Sequence, residues 1–350
     1  MAASGVLGQA DFVTATTGAT ASTMNNAFGV AVDPTTGKLF VADRNNSRVL
    51  RFSSAAKLVD GSAAEAVLGQ PDLTTVTANT GGISAATMNL PIRLFVDASG
   101  RLWVSDYQNR RILRFDGASA KANGAAADGV LGQPDFVTNT LGTTGAKISR
   151  PTGIFVDGTT LWVAERDNHR VLRFDNASAK ANGDAADGVL GQPDFTTVTS
   201  GLSSTKMAEP FGVFVDANGR LWVSEDVNSR VIRFDGAAAK ANGAAADGVL
   251  GQPDFTTGTY STTQSQTGNV RGVWGDGLGR IYAVDEGNSR IMIYNNAASL
   301  ANGANADNVL GQADFVTGTT ATTATGFAFP NSMYIDNANN TIWVADAGNA

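Results

Sequence analysis

Apolar residues come in short bursts along this chain, each stopped by an acid or by a turn containing Gly or Asn. Between residues 92 and 133 the bursts are 92–97, 101–106, 111–115 and 129–133. Each is too short for a helix and rich in β-branched and aromatic residues, the pattern of a strand. Ala98-Ser99-Gly100 and Tyr107-Gln108-Asn109-Arg110 read as the tight connections between them. The Ala-rich segment 117–122 predicts one or two helical turns, with Asp116 as N-cap and Gly124 at the C-terminal end. Pro134 puts the fourth strand on the outside, where a missing backbone donor is tolerated. Trp103 and Val104 are adjacent and so point to opposite faces. A small antiparallel sheet that is apolar on both faces needs cover on both sides.

The unit is copied. Leu-Gly-Gln recurs with its Gly at 8, 69, 132, 191, 251 and 311, in steps of 61, 63, 59, 60 and 60 residues. A fixed period of this size marks one structural unit repeated in an array or ring. Sheets stacked around an axis cover each other's faces. The chain therefore predicts an all-β, six-bladed β-propeller of four-stranded antiparallel blades, a single domain over 1–350.

Three stretches of the third copy carry a family resemblance. They are Pro151-Thr152-Gly153-Ile154-Phe155-Val156-Asp157, Leu161-Trp162-Val163-Ala164-Glu165 and Asn168-His169-Arg170-Val171-Leu172. Together they resemble the NHL repeat, and the likeness runs the length of the chain. The resemblance implies a propeller, commonly six-bladed, and leaves function open because the fold hosts many activities. Some six-bladed relatives are lactonase-like hydrolases or lyases. The lyases that act on peptide or antibiotic substrates rely on His residues, and here His169 is the only one. It occupies the loop position of Ser47, Arg110, Ser229 and Ser289, which makes it a loop residue rather than a general base. A catalytic zinc site wants two or three His.

The phase of the repeat bears on how the ring closes. The sixth copy supplies strands near 331–336 and 341–346, and the residues that would make a third strand do not follow. Residues 1–13 carry the Leu-Gly-Gln strand and are expected to close the ring as the outer strand of the last blade. That blade then lacks one strand. An extension such as Arg-Val-Leu-Arg-Phe is expected to fill the gap and raise the melting temperature.

Composition narrows the function classes. A net charge of −7 argues against a nucleic-acid partner, since gripping phosphates needs a basic excess. No apolar run is long enough to span a membrane as a helix. With no Cys there are no disulfides and no thiolate metal sites, which fits a bacterial protein working in the periplasm, at the cell surface or outside the cell.

Repeated and unrepeated residues point to different roles. The pairs Asp43/Arg48, Asp106/Arg111, Glu165/Arg170, Glu225/Arg230 and Asp285/Arg290 flank four-residue loops that carry Asn. Five equal copies read as structural ion pairs across hairpins. The acids Asp33, Asp97, Asp157, Asp216, Asp276 and Asp336 precede turns and read as Asx-turn residues rather than calcium ligands. The long Thr- and Ser-rich loops vary and belong on the same end as the ion-pair hairpins, where a rigid frame usually carries binding.

At the opening of each first strand the residues change from copy to copy. Phe28, Arg93, Arg150, Thr152, Glu209, Phe211, Arg271 and Asn331 are the candidate ligand-binding residues of a funnel mouth. Arg93 and Arg150, with Arg44, Arg110 and Arg166 nearby, load blades one to three with positive charge, and Glu209, Asp226 and Glu286 load blades four and five with negative charge. The expectation is a rigid, monomeric ring that binds a small ligand or a protein partner at this mouth, within a larger protein, with no cofactor and no metal. The competing expectation is a calcium-dependent, lactonase-like hydrolase or lyase, its metal held in the channel by groups such as Glu209 and Asn269.

Overall fold

The computed structural model describes residues 1–349. Its only helical elements among those residues are single 3₁₀ turns. Blade one is β1 (Ala27–Val32), β2 (Lys38–Asp43), β3 (Arg48–Ser54) and β4 (Ala66–Leu68). Blade two is β5 (Pro91–Val96), β6 (Leu102–Asp106), β7 (Arg111–Phe115) and β8 (Gly129–Leu131). Blade three is β9 (Pro151–Asp157), β10 (Thr160–Glu165), β11 (Arg170–Phe174) and β12 (Gly188–Leu190). Blade four is β13 (Pro210–Val215), β14 (Leu221–Glu225), β15 (Arg230–Phe234) and β16 (Gly248–Leu250). Blade five is β17 (Val270–Gly275), β18 (Ile281–Asp285), β19 (Arg290–Tyr294) and β20 (Asn308–Leu310). Within each blade the strands pair antiparallel in chain order.

The sixth sheet holds only β21 (Pro330–Asp336) and β22 (Thr341–Asp346). The expected six-bladed ring is thus corrected to five four-stranded blades and a two-stranded sheet in sixth place. The expected closing strand does not form either, because residues 5–9 have no strand structure. An outer strand such as β8 owes its ladder to the neighbouring β7, and among the described residues no strand lies between residues 5–9 and β22. The segment still holds the outer place. The Gly61 N–H donates to the Val6 carbonyl at 3.1 Å, as Gly124 and Gly183 donate to Val67 and Val130 at the same distance. The ring closes instead through its inner strands, where β21 lies against β1 and the Ser332 hydroxyl donates to the Phe28 carbonyl at 2.6 Å.

The Ala-rich segment makes a single 3₁₀ turn, Ala118–Ala120, and its N-cap is Gly117 rather than Asp116. The chain leaving β7 must reverse through a left-handed residue. Gly117, Asn176, Gly236 and Asn296 supply it at φ between 47° and 58°.

The repeated Leu-Gly-Gln has a structural job. Its Gly adopts φ between 80° and 86° in all six copies, a conformation costly for any other residue. Its Gln ties the outer strand to the loop and hairpin beside it. Gln252, for example, donates to the carbonyls of Ser229 and Thr259, both at 2.9 Å.

Along the inner strands the period of two sorts residues around the axis. One level holds Gly29, Gly153, Gly212, Gly272 and Ser332. A Cβ on Gly29 or Gly153 would come within 2.5 Å of the next strand's carbonyl oxygen, so the inner strands approach as closely as glycine permits. Two residues further on, Phe95, Phe155, Phe214, Trp274 and Tyr334 pack ring against ring, with centroids 4.7 to 5.6 Å apart between neighbours. These aromatics fill the channel.

Candidate functional site at the funnel mouth

Each complete blade ends its second strand with an acid that accepts from an Arg five residues on. The distances are 2.7 Å for Asp43–Arg48 and Asp106–Arg111, 2.5 Å for Glu165–Arg170, and 2.8 Å for Glu225–Arg230 and Asp285–Arg290. All ten side chains are fully buried. Burial pushes these carboxyls up, while the guanidinium, the hairpin Asn and a backbone N–H pull them down. The other guanidinium nitrogens donate to carbonyls of the long polar loops. Arg111, for instance, reaches Phe136 at 2.5 Å, Ser84 at 2.9 Å and Thr87 at 2.8 Å. The pairs are therefore clamps that fix the hairpins and pin the polar loops to the same end of the ring. Asp33, Asp97, Asp216, Asp276 and Asp336 each accept from the backbone N–H two residues on, which is the Asx turn, whereas Asp157, expected to do the same, ends β9 and pairs with Thr160 across a tighter turn.

Above these clamps lies a cavity of about 360 Å³ on the axis. Of the residues expected at the mouth, Phe28, Phe211, Arg271 and Asn331 line it. Thr152 does not. It is fully buried and its hydroxyl donates to the Pro210 carbonyl at 2.9 Å, because so short a side chain is taken up between neighbouring strands. Arg150 turns aside to Asp167 at 3.4 Å and covers the Tyr107 ring at 5.7 Å. Glu209 is held by Arg166, whose Nε donates to it at 2.9 Å. Arg110 bonds to Asn139 at 2.7 Å, away from the cavity.

Arg93 has the most distinctive placement. It stands where four sister strands have Gly, so it alone at this level sends a long side chain across the axis. Its guanidinium donates to the carbonyls of Phe28 at 3.1 Å and of Arg271 and Asn331, both at 2.6 Å. It makes no ion pair among the described residues. Burial, with nearby Arg271 adding to it, pushes its pKa down to about 9. Three guanidiniums alternate with two rings across the mouth. Arg44 covers Phe28 at 5.3 Å, Arg93 stands 5.9 Å from Phe28 and 5.4 Å from Phe211, and Arg271 covers Phe211 at 5.5 Å.

Sequence reasoning placed the charges Arg44, Arg166, Asp226 and Glu286 near the mouth but missed Tyr107 and Ala347 and the fact that all six form one ring, that of the residue after each second-strand acid. It reads Arg44, Tyr107, Arg166, Asp226, Glu286 and Ala347, and all six line the cavity. The signal was present as the most divergent column inside the most regular hairpin. Arg271 is shared by two acids, Asp226 at 3.4 Å and Glu286 at 3.1 Å. Burial raises the Glu286 carboxyl, with Arg271 opposing and Asp226 adding to the rise. Three buried polar atoms of the lining lack a partner: Asn26 Oδ1, Arg44 Nε and Asp226 Oδ1. Five residues at the strand openings, Asn26, Leu90, Arg150, Glu209 and Phe329, hold φ between 50° and 63°. Such strain in residues with a side chain is typical of places where a frame fixes functional groups.

His169 serves the frame, since its Nδ1 accepts from the Glu209 N–H at 3.1 Å and burial lowers its pKa. Asn269, expected as a metal ligand under the hydrolase reading, donates to the Asp226 carbonyl at 3.1 Å. Among the described residues no three His, Asp or Glu side chains converge as a metal site.

A family model described as NHL repeat matches residues 25–52, which are β1, β2 and most of β3. No curated protein matches the chain. A gluconolactonase from Xanthomonas campestris is similar at 14% identity and a TM-score of 0.55, over 93% of this chain and 84% of that one. A streptogramin B lyase matches at 11% identity and a TM-score of 0.50, over 93% and 91%. A chain of the nidogen/laminin complex matches at 14% identity and a TM-score of 0.50, over 81% and 79%. At such identities the likeness extends to the fold alone. The chain is thus a β-propeller by fold that matches the NHL repeat over residues 25–52, with a similar motif recurring in four further blades.

Proposed function

We propose that this propeller is a rigid binding module that takes a small polar ligand at its funnel mouth. The observation that carries the reading is the convergence of the most divergent column of the repeat, Arg44, Tyr107, Arg166, Asp226, Glu286 and Ala347, on one cavity at the axis. Asn26, Arg44 and Asp226 all line one cavity, and all three sit in columns where the repeat is broken. Asn26 Oδ1, Arg44 Nε and Asp226 Oδ1 are three of the ten buried polar atoms without a partner among the described residues, and a ligand in the cavity would stand beside the side chains that carry them. The frame supports this, because the inner strands and five buried clamps hold the mouth rigid before a ligand arrives. A cysteine-free chain of this kind fits work outside the cytoplasm, in a larger bacterial protein. A protein loop entering the mouth would use the same groups.

The competing hydrolase or lyase reading asks for a calcium ion in the channel. Glu209 is engaged by Arg166, Asn269 by a backbone carbonyl, and the Arg93 guanidinium crosses the axis beneath the mouth, so the binding reading fits these residues better. The test is a thermal-shift screen of small polar metabolites on the full chain and on Ala347→Trp, which puts an indole into the cavity. Ligands that stabilise the parent chain and lose that effect in the variant are the expected result. Calcium-dependent turnover of lactones, or ligands indifferent to the indole, would overturn the reading.

A further inference from the structure

The charges around the mouth are sorted by blade. In a ring of six places, blade one faces blade four across the axis. Blade one presents Arg44, which has no carboxylate partner among the described residues and donates only to Asn45 Oδ1 at 3.0 Å. Its Nε is one of the unpartnered atoms. Blade four presents Asp226, only 5% exposed, with Oδ2 facing Arg271 at 3.4 Å and Oδ1 without a partner. Asp226 and Glu286 share a single cation, Arg271, so that side keeps an excess of negative charge. Arg166 and Glu209 cancel locally. Beneath the mouth the Arg93 guanidinium lies between the Phe28 and Phe211 rings, held only by the carbonyl oxygens of Phe28, Arg271 and Asn331, and adds positive charge to the middle of the floor without favouring either side.

We propose that the mouth selects amphoteric small molecules: an anionic group, such as a carboxylate, meets Arg44 and a protonated amine meets Asp226. The inference rests on the binding reading above and names its ligand class. A carboxylate fits a guanidinium by charge-assisted hydrogen bonds, and an ammonium answers the negative charge of Asp226 and Glu286, which share Arg271. Phe28, Phe211 and Ile92 line the cavity between the two groups and are its apolar part. A simple anion satisfies only Arg44, and a simple amine only Asp226. The rest of the cavity, at about 360 Å³, leaves room for a linker of several carbons.

The test is calorimetric titration of the full chain with ω-amino acids from glycine to 8-aminooctanoate. The matched carboxylates and alkylamines of equal length serve as controls. One length is expected to bind at least 10-fold tighter than either of its controls. Asp226→Asn should remove the advantage over the carboxylate without changing carboxylate binding. Arg44→Gln should remove the advantage over the amine. Equal binding of an ω-amino acid and its carboxylate on the parent chain, a comparison that needs no variant, would overturn the proposal. Absence of binding by every ω-amino acid, while other ligands are still blocked by Ala347→Trp, would also overturn it and leave the binding reading standing. If no compound is blocked by Ala347→Trp, both fall.

Discussion

Asp346 is the sixth copy of the clamp acid, and it sits without its Arg. It accepts from the Ala328 N–H and from Asn349 Nδ2, both at 2.7 Å, and burial pushes its pKa from 3.8 to about 6. That displacement corresponds to roughly 3 kcal/mol, at 1.36 kcal/mol for each tenfold change in proton affinity. The folded state binds this proton more tightly than the unfolded one. Its contribution to stability is therefore full below about pH 4, falls as pH rises toward 6, and is gone above that. Asp346→Asn keeps an acceptor for the Ala328 N–H and removes the charge. It should stabilise the chain by about 2–3 kcal/mol at pH 7.5 and do little at pH 4. The equivalent Asp106→Asn should act in the opposite direction. It leaves Arg111 buried and uncompensated, a loss of about 3–5 kcal/mol. Appending Arg-Val-Leu-Arg-Phe after position 350 puts an Arg five residues beyond Asp346, the clamp spacing, so Asp346→Asn should turn destabilising in the extended chain. Urea unfolding followed by Trp fluorescence at the two pH values reads all of this. Equal signs for Asp346→Asn and Asp106→Asn at pH 7.5, or an effect of Asp346→Asn that ignores pH, would refute the reasoning.

Two further outcomes follow from the frame. Gly153→Ala places a Cβ 2.5 Å from the Phe211 carbonyl oxygen and should cost roughly 1–3 kcal/mol or more, whereas Gly117→Ala meets no atom within 4 Å and should cost only about 1 kcal/mol from its positive φ; urea midpoints separate the two. Gln133→Ala strips the carbonyls of Arg110 and Thr140 of donors given at 3.0 Å each, so a loss of about 2 kcal/mol is expected, with faster proteolysis of the 134–147 loop as a second readout.

What could be read from the sequence divides along physical lines. Strand identities, the buried clamps and the Asx turns follow local rules that act within a few residues, and five or six copies repeat each rule. The third strand of blade two was placed to the residue, at Arg111–Phe115. The closing strand at 5–9 was wrongly expected because a strand is not a property of its own residues. Val6 and Leu7 match Val67 and Leu68, yet only the latter have a partner strand to complete the ladder. Thr152 was misplaced for a different reason. It shares its column with Phe28 and Phe211, but column position fixes only the Cα, and side-chain length decides whether a residue reaches the cavity or is absorbed between strands. Arg93 shows the converse, since a long side chain in a glycine column crosses to three other blades, which no single-blade pattern discloses.

The same division explains how one frame can carry an unsymmetrical site. Each clamp joins an acid and an Arg that are both buried, so it is neutral in itself and exerts little field on what lies one residue further. The next residue is then held in fixed geometry while its chemistry is unconstrained by the ring. Six near-equal blades would otherwise give a mouth of six-fold symmetric charge, suited to nothing smaller than the ring. Cations at Arg44 and Arg166 and acids at Asp226 and Glu286 break that symmetry without disturbing a single strand. Arg93 breaks it again below, blocking the axis so that a ligand meets a floor instead of an open channel. Polarity across the mouth thus arises only in side chains the repeat leaves free, and substitution of Arg44, which is half-buried and has no carboxylate partner among the described residues, should change what is bound while leaving the unfolding free energy within about 0.5 kcal/mol of the parent.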